Sequence, residues 1–145
     1  METTKGIIND LLVEVFNHIL SIEQQNLKDQ GVELSMTEVH VLEAIVKTED
    51  PSMTHIANRL RVTVGTLTTS INRLVEKGYV TRERLESDKR RVIVSVTPKS
   101  DEILKIHNLF HDEMIAATIR DMKLDQDDNL MNALNNLKEY FRNKY

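Results

Sequence analysis

Residues 63–78 read TVGTLTTSINRLVEKG, Thr63 to Gly78, and their periodicity is that of a helix. At 100° per residue, Val64, Leu67, Ile71 and Leu74 fall on one narrow apolar face. Gly65, Thr66, Thr69, Asn72, Arg73 and Glu76 fall on the other. Lys and Glu dominate an ordinary solvated helix face. This one is small, hydroxylated and amide-bearing near its start, with an arginine further along. Such groups approach base edges and phosphates closely, so the stretch reads as a DNA recognition helix. Thr63 is expected to cap its start and Gly78 to supply a left-handed stop.

Immediately upstream, Ser52 starts a short helix with Ile56, Ala57 and Leu60 inside, and a four-residue turn, Arg61 to Val64, leads into the next helix. Two short helices joined this tightly make a helix-turn-helix. Downstream of Gly78 the period changes to two. Val80 to Leu85 and Arg91 to Val96 read as strands, with Val92, Val94 and Val96 alternating against Arg91, Ile93 and Ser95. Between them Glu86-Ser87-Asp88-Lys89-Arg90 forms a charged hairpin tip. A basic hairpin directly after a recognition helix is a wing, suited to phosphates or an adjacent minor groove. The plainer alternative is a hairpin whose Lys and Arg residues block its edges.

Charge distribution favours the nucleic-acid reading. The 145 residues carry a net charge of −4, which alone argues weakly against DNA. Yet between Arg59 and Arg91 there are nine Lys/Arg against four Asp/Glu, and the rest of the chain holds 10 basic against 19 acidic residues. A basic segment on an acidic body fits a DNA reader with a separate interaction region. Cysteine is absent, which excludes disulfides, thiolate metal sites and thiol redox sensing. Aromatics make up 4% of the chain, without tryptophan, which disfavours stacking platforms for single strands. No apolar run approaches 18 residues and no basic-then-apolar leader is present, so a soluble cytoplasmic protein is expected.

Outside the basic unit the pattern is helical. Ile8, Leu11, Leu12, Val15, Ile19 and Ile22 form a stripe that predicts one helix over roughly Ile7 to Lys28, ended at Gly31. Ser35 and Glu38 have capping-box spacing ahead of Val39, Leu42, Ile45 and Val46. Thr97-Pro98 restarts a helix with Ile103, Ile106, Phe110, Met114, Ala117 and Ile119 inward, out to about Met122. Leu124-Asp125 is expected to begin a last helix striped by Leu130, Leu134, Leu137 and Phe141. Long amphipathic helices at both ends leave apolar surface on a monomer, which predicts a two-fold homodimer. The expected fold is mainly α with a small β-hairpin wing. Residues 1–34 and 98–145 form a helical dimerisation region around a winged helix-turn-helix at 35–97, all one continuous domain.

This order and these motifs resemble the MarR family of bacterial winged helix-turn-helix regulators over essentially the whole chain. The resemblance is carried by Ile56-Ala57-Asn58-Arg59-Leu60, by the Thr66-to-Gly78 helix running on through Tyr79-Val80, and by Asp88-Lys89-Arg90. The hairpin signature Asp-x-Arg, followed by alternating valines and Thr97-Pro98, is the specific part. The resemblance implies a symmetric dimer on a pseudo-palindromic operator in double-stranded DNA. Thr66, Thr69, Ser70, Asn72 and Arg73 would then face the major groove. Arg90 would enter the minor groove, supported by Asp88 and Arg82, with Thr63, Gly65, Lys89 and Arg91 completing the DNA-facing set. Within the family the chain is most similar to the repressors of fatty-acid synthesis genes in Gram-positive bacteria. The similar stretches are Val62 to Ser70, Val15 to Glu23, Glu38-Val39-His40 and Phe110-His111. Those regulators are helped onto DNA by long-chain acyl-acyl carrier protein, which is the effector this likeness implies; no cofactor is required.

His107 and His111 are an i,i+4 pair sharing a face with Ile103, Leu104 and Met114, a spacing that permits two imidazoles on one zinc ion. With Glu23 and His40 these positions resemble the regulatory zinc site of a zinc-responsive branch of the family. Four N/O ligands satisfy tetrahedral zinc without cysteine. The alternative is a buried, hydrogen-bonded structural cluster. Ser70 and Ser95 lie in no nucleophile motif, no glycine-rich phosphate loop is present, and pairs such as Asp112-Glu113 and Asp127-Asp128 suit helix surfaces and starts, so no enzyme is expected. A dimeric protein-interaction scaffold with a vestigial wing is the non-DNA reading, and it would lack salt-dependent binding to duplex DNA.

Overall fold

The chain opens with α1 (Thr4–Asp10), which passes through a π-helical segment, Leu11–Val15, into α2 (Phe16–Asp29). The computed structural model describes residues 1–120 and 122–144. The helical run therefore starts earlier than the apolar stripe suggests, because the Thr3 hydroxyl accepts the Gly6 N–H at 3.2 Å and caps the first turn. It is also interrupted: across the π segment the Phe16 N–H reaches the Leu11 carbonyl, five residues back. Gly31, at φ 74°, ends the run, and Val32 N–H closes on the Leu27 carbonyl at 2.9 Å.

Ser35 and Glu38 form the expected capping box at the start of α3 (Met36–Lys47). Ser52 caps α4 (Met53–Leu60) by accepting the His55 N–H at 3.2 Å. Arg61 then takes the left-handed conformation at φ 56°, and Val62 N–H bonds back to the Ala57 carbonyl at 3.0 Å. Helix α5 (Val64–Glu76) follows after three residues rather than four. Strands β1 (Val80–Arg84) and β2 (Val92–Val96) pair antiparallel, with Val80 opposite Val96, Arg82 opposite Val94 and Arg84 opposite Val92. Each strand is one residue shorter at the tip than its pattern suggests, although Leu85 N–H still bonds the Arg91 carbonyl at 3.1 Å. Val94 N–H also bonds the Pro51 carbonyl at 3.0 Å, and a bridge joins Ser52 to Ile93, so the segment ahead of α4 edges the hairpin.

These elements belong to a compact unit, Met1–Phe110. Its core gathers Leu27 and Leu34, Val39 and Leu42 of α3, Ile56 of α4, Leu67, Ile71 and Leu74 of α5, and Val80 and Val94 of the hairpin. The apolar face read from residues 63–78 is thus the buried face, apart from exposed Val64. Helix α6 (Pro98–Thr118) begins in this unit. Its start grips the end of α5: the Thr97 hydroxyl donates to the Gly78 carbonyl at 2.7 Å and the Ser100 hydroxyl to the Tyr79 carbonyl at 2.6 Å. Lys99 Nζ donates to the Lys77 carbonyl at 2.7 Å and lies 4.4 Å from the centre of the Tyr79 ring.

The second unit, His111–Tyr145, holds the rest of α6, a 3-10 turn at Leu124–Gln126, and α7 (Asp128–Asn143). Helix α6 stops at Thr118, short of the expected Met122. The last α-helix starts after the Leu124-Asp125 position read from sequence, because Asp127 is its cap and accepts the Leu130 N–H at 3.1 Å. Leu130 and Leu137 of its stripe are half-buried, while Leu134 and Phe141 are exposed. Among the described residues, no helix is long and apolar enough to cross a membrane.

Candidate nucleic-acid interface

Core packing of Leu67, Ile71 and Leu74 fixes the rotation of α5 and turns Gly65, Thr66, Thr69, Asn72 and Arg73 outward; all five are exposed. Ser70 is half-buried at the border of that face. Thr63 Oγ1 accepts the Thr66 N–H at 3.1 Å and donates to Thr66 Oγ1 at 2.9 Å, so the cap also orients a hydroxyl on the outward face. Thr68 and Thr69 donate to the carbonyls of Val64 and Gly65, at 2.8 and 3.4 Å. Each of these hydroxyl oxygens keeps acceptor capacity toward solvent. The helix start, with its free N–H groups, adds positive potential where a phosphate would lie.

The wing is shaped by Asp88, whose carboxylate accepts the Arg90 N–H at 3.1 Å while its carbonyl accepts the Arg91 N–H at 3.0 Å. This Asx-type turn presents Lys89 and Arg90 at the tip, both exposed. Arg91 is used differently from its neighbours. Its guanidinium pairs with the Asp50 carboxylate, tying the wing to the segment ahead of α4. His55 joins the same knot, with Nδ1 2.9 Å from the Asp50 carbonyl and 3.3 Å from its carboxylate. Arg82 leaves β1 toward α5 and donates to Asn72 Oδ1.

A groove of about 920 Å³ lies between the wing, the start of α4 and the start of α5, lined by Asp50, His55, Thr68, Arg82, Arg84, Arg90 and Arg91 among others. Arg84 and His55 were absent from the sequence-based set. Arg84 could have been found there, since strand alternation places it on the same face as Arg82. His55 depends on the pairing of the Pro51 and Ser52 segment with β2, which no local pattern announces.

Part of the candidate metal set lies within the first unit. His40 and Glu43 of α3 and His107 of α6 bring one ligand atom each within 4.8 Å of one another. Glu43 is one helical turn from His40 and was not anticipated. His107 is buried and faces the Glu43 carboxylate at 3.3 Å, and its ring meets that of His40 edge to face at 5.9 Å. Burial would raise the Glu43 carboxyl, but the Lys47 ammonium and then His107 outweigh it and hold it below its ordinary value. Glu23 is buried on α2, and His111 lies one turn beyond His107 at the opening of the second unit. Two imidazoles and a carboxylate are a donor set suited to zinc, with water as a fourth ligand.

Comparison with known proteins agrees with this geometry. The MarR family profile matches residues 34–92, from before α3 to the start of β2. The crystal structure of Streptococcus pneumoniae FabT in complex with DNA is 34% identical, covers 95% of this chain and 97% of its own, and superposes with a TM-score of 0.85. The HTH-type transcriptional regulator BilQ of Clostridium symbiosum is 27% identical over 96% of this chain and 95% of its own length. The HTH-type regulator YhjH of Bacillus subtilis is 29% identical over 54% of this chain, which spans 45% of that longer protein. The recognition helix, the basic wing and these likenesses together place the chain in the MarR family, as a DNA-binding transcriptional regulator and not an enzyme.

Proposed function

We propose that this chain represses fatty-acid synthesis genes in the cytoplasm, binding a pseudo-palindromic operator as a two-fold dimer that long-chain acyl-acyl carrier protein tightens on DNA. The observation that carries the reading is the likeness to DNA-bound FabT, at 34% identity over 95% of the chain. Exposed apolar surface supports the dimer. Ile7, Ile8, Leu11, Leu12, Val15 and Phe16 are all exposed along the first helical run, and Leu134 and Phe141 are exposed on α7. In such a dimer an effector would act by changing the spacing of two recognition helices relative to about 34 Å, one duplex turn.

The test is fluorescence anisotropy on a labelled fragment of the chain's own fatty-acid gene promoter. Titrations run in chelator at one fixed salt, with and without long-chain acyl-acyl carrier protein. Tighter binding with the acyl carrier supports the proposal, and unchanged binding removes the fatty-acid signal from it. Affinity should also fall steeply with salt, since the basic segment neutralises phosphates.

A second reading, a zinc-responsive regulator, is favoured by the His40, Glu43 and His107 grouping. Ligand atoms on tetrahedral zinc stand about 3.3 Å apart, so small side-chain movements would close this set. Purified protein without zinc, together with operator binding unchanged in His107→Ala, would sink it.

A further inference from the structure

Arg82 and Asn72 meet where the wing joins the recognition helix, and their bond determines what Asn72 can offer a base. The strand pleat puts Arg82 on the same face of β1 as Val80, two residues earlier. Val80 is buried in the core against which α5 packs, whereas Arg82 is exposed, past the core's edge. From there its Nη1 donates to Asn72 Oδ1. A guanidinium has donors only, so the atom it meets must be the amide oxygen, and the Asn72 NH2 group is turned away from it. Asn72 is exposed on the outward face of α5, one turn beyond Thr68 and Thr69.

This orientation selects among bases. An asparagine reads adenine through both amide atoms, its oxygen accepting from N6 and its NH2 donating to N7. The guanidinium takes one of the two lone pairs of Oδ1 and fixes which way the amide faces, so that NH2 is the group it presents away from the wing. The partners of an NH2 group are acceptors, which are purine N7, guanine O6 and thymine O4, whereas cytosine presents only its N4 donor. We propose that Arg82 is a specificity-determining residue, holding Asn72 with its NH2 group presented as a donor that disfavours cytosine. This rests on the reading of the outward face of α5 as the DNA-facing surface. Arg82 acts here through Asn72, in addition to any phosphate contact of its own.

The experiment is selection from a pool of randomised duplexes by the full-length protein, with the bound fraction sequenced. Wild type, Asn72→Ala and Arg82→Met are compared, and thermal melting verifies that each variant is folded. Positions whose base preference changes in Asn72→Ala are those that Asn72 reads. The wild type should disfavour cytosine there, and Arg82→Met, which frees the amide to turn its oxygen toward the cytosine N4 donor, should raise the share of cytosine about fivefold or more, the lower end of what an unpaired donor costs. A merely structural or phosphate-binding Arg82 would weaken all sequences alike. That outcome overturns the proposal, as does cytosine already preferred by the wild type or an Asn72→Ala variant with unchanged preferences. If the wild type enriches no sequence, the DNA-facing reading of α5 fails and takes this proposal with it; enrichment without the Arg82→Met shift defeats this proposal alone.

Discussion

The Lys77 ammonium lies 3.0 and 3.2 Å from the two carboxylate oxygens of Glu38, so the residue that closes the capping box of α3 also anchors the end of the recognition helix. Burial would raise the Glu38 carboxyl, but the Ser35 N–H and the Lys77 ammonium outweigh it and hold it below its ordinary value. Glu38→Gln should therefore cost about 1–2 kcal/mol near neutral pH, through a weakened cap and a lost charged hydrogen bond. A carboxyl with a depressed folded-state value contributes fully above the ordinary glutamate value, about 4.3, and loses that contribution as pH falls through the folded value. Urea unfolding of both proteins at pH 7 and at pH 3 should show the gap closing in acid.

Arg90→Ala removes the tip charge that Asp88 aims. Anisotropy titrations across a salt series should show weaker binding and a log–log slope smaller by about 1. Asp88→Ala keeps the arginine but loses the turn bond, so it should weaken binding with the slope nearly intact. If Arg90→Ala binds like wild type, the wing does not contact DNA.

Thr63→Ala and Thr69→Ala separate folding from reading. Thr63 caps α5, and its loss should cost about 1 kcal/mol of stability, visible as a lower Tm. Thr69 is exposed, and its substitution should leave Tm within a degree or two while changing which base pairs are preferred in a binding selection.

Gly78 takes φ 81°, and a Cβ there would meet nothing within 4 Å. Gly78→Ala should then cost only the left-handed backbone penalty, about 1–2 kcal/mol. A much larger loss of Tm would indicate packing that this open space does not suggest.

Local signals carried most of the fold. The apolar faces of α3, α4 and α5, the Ser35, Ser52 and Thr63 caps and the Gly31 and Gly78 stops are all short-range, and the structure uses each, apart from Val46 and Val64, which are exposed. Non-local features were illegible. The Asp50–Arg91 pair joins residues 41 apart and the Lys77–Glu38 pair residues 39 apart, and no periodicity links them. The same limit explains why the Asp50 partner of Arg91, and the place of Glu43 beside His40 and His107, went unread. The boundaries at Thr118 and Asp128 differ from the expected ones by three or four residues, because an apolar stripe does not mark where a helix is capped.

The π-helical turn at Leu11–Val15 bears on how this helix tolerates changes of length. Deleting a residue from a regular α-helix swings everything beyond it by about 100°. A π turn already holds one residue more than an α turn, as a single insertion absorbed on the spot would. Removing one residue between positions 11 and 15 should restore plain α geometry while leaving Ile7 and Ile8 on one side, and Ile19 and Ile22 on the other, facing as they do now. The segment is slack in an otherwise rigid rod, a place where the chain can gain or lose a residue without turning its apolar surface away from a partner.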